Sequence, residues 1–222
     1  MLVHGGHVAA RRFFTSANAG SYGTVVRIAT LGRDFAWKRE IIKSILGRKS
    51  VLELACGTGI LSSILTESGK SVTGIDLSFE YLRTARSKVE FGSVQGTAEM
   101  LPYRDGSFDA VASSYLAKYV DVNGVIEEGW RVLRPGGRIV FHDFTFPDGI
   151  MRGLWITYFD ILRLTGRFIA SWRTVFNQLD LVIRDSKWVD QTMDALEMKG
   201  FRDIACKYYT AGTAAIVSAE KP

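Results

Sequence analysis

Cysteine is scarce: Cys56 and Cys206 are the two in 222 residues. They have no metal-ligand spacing and give no disulfide framework, so a reducing, cytoplasmic setting is expected. Long apolar runs are missing. The most hydrophobic stretch, Leu154 to Ala170, is interrupted by Asp160, Arg163 and Arg167, which argues against a membrane span. No lysine/arginine block and no aromatic-basic interleaving suggest nucleic acid. The net charge of +5 reads as a solvated basic surface, compatible also with an anionic membrane surface. A secretion signal's apolar segment is lacking at the N-terminus. Acidic residues are absent before Asp34, whereas Arg11 and Arg12 are present. Histidine is rare too. His4 and His7 lie in a small, polar stretch, residues 1–20, with Gly5, Gly6 and Gly20, expected to be loosely held at its very start; two histidines in such a terminus give no metal site.

What the chain does have is enough length for one core, and 47% hydrophobic residues to fill it. The organising stretch is Val51 to Gly59, VLELACGTG. A short apolar strand, Val51 to Ala55, ends in Gly57-Thr58-Gly59. A helical pattern with Ile60, Leu61, Ile64 and Leu65 follows. Strand, glycine turn, helix opens a βαβ unit, and a ligand can lie against a turn that has no Cβ in the way. Further strands are expected at Ser71–Asp76, Phe91–Gln95, Phe108–Ser114 and Arg138–Asp143, with helices at Phe79–Lys88 and Val122–Leu133. That rhythm predicts a Rossmann-like, doubly wound α/β fold, with a mostly parallel sheet covered on both faces. A late helix over Ser186–Lys199 precedes two strands, Phe201–Tyr209 and Thr213–Glu220. The short turn between them makes the last strand antiparallel, the seventh of the sheet. Residues 1–222 read as one domain. Tyr22 to Leu46 is helical in pattern. Residues 147–184, rich in aromatics, exceed the short connection such a sheet needs. They are either a packing helix pair or a substrate-side insertion.

Asp76 ends the second strand, seventeen residues after Gly59. A carboxylate there can accept both hydroxyls of a ribose. Nicotinamide dinucleotides and S-adenosylmethionine both use this arrangement. Ser62 stands where a third glycine of GxGxxG would be, so the glycines alone do not decide.

Three segments do decide. Gln95-Gly96-Thr97-Ala98-Glu99, with Leu101-Pro102-Tyr103, resembles the loop that flanks the adenine in class I S-adenosylmethionine-dependent methyltransferases. Arg131 to Arg138, RVLRPGGR, is similar to that superfamily's lead into the fifth strand. Tyr22, Leu31, Gly32 and Trp37 match an N-terminal pattern of the ubiquinone/menaquinone biosynthesis C-methyltransferases. The resemblance to that family runs from about Tyr22 to Pro222. It includes Asp143-Phe144-Thr145-Phe146-Pro147 and the ending Thr210-Ala211-Gly212 to Lys221-Pro222.

The resemblance implies S-adenosylmethionine as cofactor, with Glu53, Gly57, Thr58, Gly59, Asp76, Leu77, Thr97, Ala98 and Ser113 around it. Residues 1–46 would form a lid, and residues 147–184 the substrate-side insertion. Departures exist. Ala117 and Lys118 occupy the positions of a family arginine and asparagine, and the arginine is implied to help deprotonate a quinol. From position at the strand ends, the candidates for catalysis are Asp143, Tyr115, Lys118 and His142. Three functions stay open: C-methylation of a lipophilic aromatic or quinone-like acceptor, N- or O-methylation of another small molecule, and a non-catalytic S-adenosylmethionine-binding module. Trp155, Phe159 and Leu162 can share one face of the insertion, while Tyr158, Ile161 and Phe168 lie partly on another. An isoprenoid tail, a second subunit in a homodimer or a membrane surface would cover the remainder.

Overall fold

The computed structural model describes residues 3–222 and the side chains from Gly6 onward. Four helices come first: α1 (Val3–Phe13), α2 (Ser16–Ala19), α3 (Tyr22–Ala29) and α4 (Arg33–Ser44). The wound sheet follows as β1 (Ser50–Leu54), α5 (Ile60–Glu67), β2 (Ser71–Asp76), α6 (Phe79–Arg86), β3 (Gly92–Gln95), β4 (Phe108–Ser114), α7 (Val122–Val132) and β5 (Leu133–Phe144). Then come α8 (Gly149–Gly166), α9 (Arg173–Asp185), α10 (Trp188–Lys199), β6 (Arg202–Tyr209) and β7 (Ala214–Glu220).

The strand order is β3-β2-β1-β4-β5-β7-β6. β1, β2, β3, β4 and β5 pair in parallel, while β7 runs antiparallel between β5 and β6. The chain winds outward from β1 through β2 to β3, then returns to the other side of β1 at β4. The connections leaving β1 and β4 diverge there, so a crevice opens above their carboxyl ends. Two cores flank the sheet. Leu52, Leu54, Val111, Ile139 and Phe141 face α7 and α10, while Val51, Val72, Ala110, Ala112 and Val140 face α4 and α5. The alternation along each strand is that of side chains pointing to opposite faces.

The very start of the chain, expected to be loosely held, lies outside the described residues; from Gly6 on, α1 is docked and ends on Phe13, which is fully buried with Tyr119, Trp172 and Phe176. Gly6 makes this docking close, because a Cβ there would come within 2.2 Å of the Tyr119 carbonyl oxygen. Two expectations change. The helical run from Tyr22 breaks at Leu31 and Gly32, both with positive φ, so α3 and α4 are separate. β5 begins earlier than expected, at Leu133. A register shift between Phe108 and Ala110 absorbs the Pro135-Gly136 segment, as bulges do.

The first four helices and the α8–α9 pair form a cap over the carboxyl edge of the sheet. Asn18, 1% exposed, ties it together. Its side-chain amide donates to the carbonyls of Phe13 (2.6 Å) and Ser171 (3.3 Å), and its Oδ1 accepts from the Tyr81 hydroxyl at 2.7 Å. Trp172 donates to Ser21 Oγ at 2.9 Å, and Tyr158 to the Ala29 carbonyl at 2.5 Å.

Candidate active site

β1 runs into a turn where Ala55, Gly57 and Gly59 all have positive φ. Glycine is the residue that adopts this conformation without steric cost. Gly59 has a second reason: a Cβ there would lie 3.1 Å from Ala85 Cβ of α6. The turn therefore brings α5 and α6 together as well as leaving its own surface bare.

Asp76, at the end of β2, accepts from the Gly57 amide at 2.7 Å and the Ser78 amide at 2.8 Å. Burial raises its pKa, and the two amides oppose that rise. One carboxylate thus fixes the turn and still lines a cavity of about 410 Å³ beside it. Leu77, Thr97, Ala98, Tyr115 and Tyr119 line the same cavity. The cap closes it with His7, Arg11 and Phe14 of the N-terminal segment. His7 Nε2 lies 2.8 Å from Glu99 Oε1 across the rim.

A smaller recess of about 30 Å³ adjoins the glycine turn. Gly57, Thr58, Glu53, Lys38, Tyr22 and Tyr115 are among its walls. Glu53 is 2% exposed and accepts from Ser62 Oγ at 2.5 Å. Burial lifts its pKa to about 8, against the lowering effect of Ser62. Ser62, where a third glycine was sought, is thus a partner of Glu53. Lys38 pairs with Asp34, which also accepts from the Tyr115 hydroxyl at 2.8 Å. The Glu53 carboxyl, kept protonated by burial, and the Lys38 side chain therefore face one small recess, hydrogen-bonding partners for the amino and carboxylate ends of an amino acid. The ribose-type carboxylate lies next to it. This donor set fits S-adenosylmethionine.

One expected residue lies elsewhere. Ser113 is 1% exposed and donates to the Leu54 carbonyl at 3.0 Å, so it joins β4 to β1 and lines neither cavity. Cys56 is buried, and its thiol pKa is raised chiefly by burial, which makes it a filler and not a nucleophile.

The catalytic candidates come together under the cap. Lys118 and Asp143 form a fully buried ion pair. The Lys118 ammonium is 4.6 Å from the centre of the Tyr119 ring, 5.5 Å from Tyr115 and 5.8 Å from Phe144. Burial lowers the Lys118 pKa and raises that of Asp143, each opposed by the other's charge. The two protonation states of the pair are therefore brought closer in energy than they would be in water. His142 accepts or donates at Nδ1 to Ser114 Oγ at 2.9 Å. Its pKa is pushed well down by burial, Lys38 and Lys118, so it is a neutral ring. Among the described residues, Asp143 Oδ2, His142 Nε2 and the Tyr119 hydroxyl are buried without a hydrogen-bond partner. Buried polar atoms without partners are uncommon unless a ligand or water completes them. Tyr115 stacks on Phe144 at 4.7 Å, and Tyr22 on Trp172 at 6.0 Å.

Several of these residues escaped the sequence reading. His7, Arg11 and Phe14 were placed in a loose terminus, yet Ala10, Phe13 and Phe14 already have helical spacing. Lys38 was hidden in a helix whose apolar face drew attention. Ser78, which also lines the larger cavity, had no motif to mark it.

Comparison with known proteins agrees with this geometry. Residues 52–141 match the model of a methyltransferase domain family. The chain is 31% identical, over 90% of its length and 85% of the relative, to a ubiquinone/menaquinone biosynthesis C-methyltransferase of Desulfotalea psychrophila. It is 32% identical, over 91% of its length and 90% of the relative, to a demethylmenaquinone methyltransferase of Beutenbergia cavernae. Among solved structures, a SAM-dependent methyltransferase from Archaeoglobus fulgidus shares the fold with a TM-score of 0.67 at 16% identity, covering 90% of this chain and 99% of that one.

Proposed function

The chain belongs to the ubiquinone/menaquinone biosynthesis C-methyltransferase family of class I S-adenosylmethionine-dependent methyltransferases, and from that premise we propose that its acceptor is a demethylmenaquinone-like quinol, methylated at a ring carbon. The observation that carries this reading is the group of aromatic rings, Tyr22, Tyr115, Tyr119, Phe144 and Trp172, gathered near the buried Lys118–Asp143 pair, whose Asp143 Oδ2 has no hydrogen-bond partner. A flat aromatic ring stacks there, and its hydroxyl has an acceptor.

Asp76 would hold the ribose hydroxyls, and Leu77, Thr97 and Ala98 the adenine side. Glu53 and Lys38 would bracket the methionine end beside Gly57, Thr58 and Gly59. When bound, the cofactor supplies a methyl group on a sulfonium, already activated toward nucleophiles. The protein's task is to align the acceptor and to make its carbon electron-rich. Asp143 takes the phenolic proton at Oδ2, and Lys118 balances the phenolate charge. Because both groups are desolvated, their interaction with that charge is stronger than at a surface. Tyr115 and Tyr119 wall the reaction from water. The smaller recess is about 30 Å³, the share of a single water, so α3 with Tyr22 moves outward as the methionine end enters. Residues 1–46 act as the lid in this reading, and residues 147–184 as the acceptor side.

An amine acceptor is disfavoured by the same geometry. Three rings and a carboxylate make a cage for an ammonium, and Lys118 already fills it. The test is transfer of labelled methyl from S-adenosylmethionine to chemically reduced demethylmenaquinone. A product carrying one new ring methyl supports the reading. No transfer to the quinol, with robust transfer to an amine or alcohol from a metabolite extract, overturns it.

A further inference from the structure

Helix α8 is apolar on two opposite faces. Trp155 and Phe159 turn inward, 8% and 3% exposed. Half a turn away, Ile150, Leu154, Ile161 and Leu164 turn outward, 87%, 59%, 55% and 53% exposed. Between them on that outer face lie only Gly153, Thr157 and Thr165, so the stripe carries no charge. Phe168, just past the helix end, is 85% exposed.

The stripe continues onto the cap. The Tyr158 hydroxyl reaches the Ala29 carbonyl, which sets the α3–α4 turn beside α8. Ile28 and Leu31 of that turn are 66% and 86% exposed, and Leu31 is held at positive φ at its tip. Seven large apolar side chains on one side of a small protein exceed the scattered singles of an ordinary surface.

Charge identifies what covers them. The turn is flanked by exposed Arg27 and Arg33, and α1 carries exposed Arg11 and Arg12. No acidic residue precedes Asp34. On α8 and just after it, Arg152 and Arg167 border the stripe; Arg152 is paired with Asp148 at the helix start, and Asp160 with Arg163. Packing α8 against a second copy would crowd these arginines together. An anionic lipid surface instead meets both features at once, apolar side chains entering the acyl boundary and arginines the headgroups.

We propose that the α8 stripe and the α3–α4 turn form a docking face for an anionic membrane surface. The inference rests on the faces of these elements and not on the quinol reading. No helix among the described residues is long and apolar enough to cross a membrane, so the contact is peripheral. Docked this way, the cap faces the bilayer and the sheet's far edge faces water.

Flotation with vesicles of phosphatidylglycerol in phosphatidylcholine, against phosphatidylcholine alone, tests it with the full chain. The wild type floats with the anionic vesicles at low salt, and the bound fraction falls as salt rises. Leu154→Glu/Ile161→Glu weakens binding roughly a hundredfold, with an unchanged circular dichroism melt because both residues are surface-exposed. Arg27→Gln/Arg33→Gln weakens it about tenfold and flattens the salt dependence. A wild type that stays with the unbound fraction overturns the proposal. So does undiminished flotation of Leu154→Glu/Ile161→Glu. A wild-type dimer that this double variant splits, with vesicle binding unaffected, assigns the stripe to a second copy and overturns it as well.

Discussion

The sheet edge and the helical cap build the same site by different means. At the edge, each residue is positioned by its neighbours in sequence: Gly57 and Gly59 by their own φ, Asp76 by ending β2, Glu53 by the inward side of β1. In the cap, positions depend on distant partners. Asn18 needs Tyr81 and Ser171, and Tyr22 needs Trp172; beneath them, Lys118 of the turn after β4 needs Asp143 of β5. The difference teaches why the cofactor can stay constant while the acceptor changes. A local motif tolerates replacement of whatever covers it. A cover made of long-range contacts can be rebuilt without touching the motif.

The comparison breaks most sharply at Asp143. If it is the proton acceptor, Asp143→Asn lowers kcat by roughly 10²- to 10⁴-fold while calorimetric affinity for S-adenosylmethionine stays near that of the wild type. A matched loss of cofactor affinity would show that edge and cap are not separable. Removing only Lys118 leaves a buried carboxylate uncompensated. Lys118→Met therefore destabilises by about 3–5 kcal/mol, and Lys118→Met/Asp143→Leu by less than that single change, read from denaturant unfolding.

Glu53 gives the next largest effect, and it is pH-dependent. Its pKa stands near 8 in the folded protein against an ordinary 4.5. The native state keeps a proton that the unfolded chain has released, so its contribution is full below about pH 4.5. It is lost progressively as pH rises to about 8. Without cofactor, stability falls by a few kcal/mol across that window. Glu53→Gln flattens the fall, measured by unfolding between pH 6 and 9. Equal slopes in both proteins would refute the buried neutral carboxyl.

Asp76→Ala comes third. Removing two charge-assisted hydrogen bonds weakens cofactor binding by about ten- to a hundredfold, measured calorimetrically. If binding is unchanged, Asp76 serves only the Gly57 and Ser78 amides. The smallest effect belongs to the cap's own tie. Asn18→Ala costs about 1–3 kcal/mol, seen as faster proteolysis near residues 11–20, with the sheet's amide protection intact.

The legibility of the molecule followed the same division. The order of strands, the glycine turn and Asp76 were readable because alternation, φ demands and strand ends leave marks in a short window. The cap was not readable to the same degree. Residues 1–20 look small and polar, yet α1 docks because Gly6 admits a carbonyl oxygen from a turn more than a hundred residues away. No local pattern encodes that approach. Ser113 was expected beside the cofactor from the family resemblance. Its hydroxyl instead bonds inward to Leu54, a choice set by which face of β4 it occupies. The pairing of Lys118 with Asp143 had no trace in either stretch alone, although both were candidates by position.

One consequence follows from α1 lying across the larger cavity, with Gly6 against Tyr119 and His7 against Glu99. His7, Arg11 and Phe14 of that helix share the cavity's wall with Asp76, Leu77 and Thr97. Retention of whatever binds there therefore depends in part on side chains that precede the glycine turn in sequence and belong to no strand of the sheet.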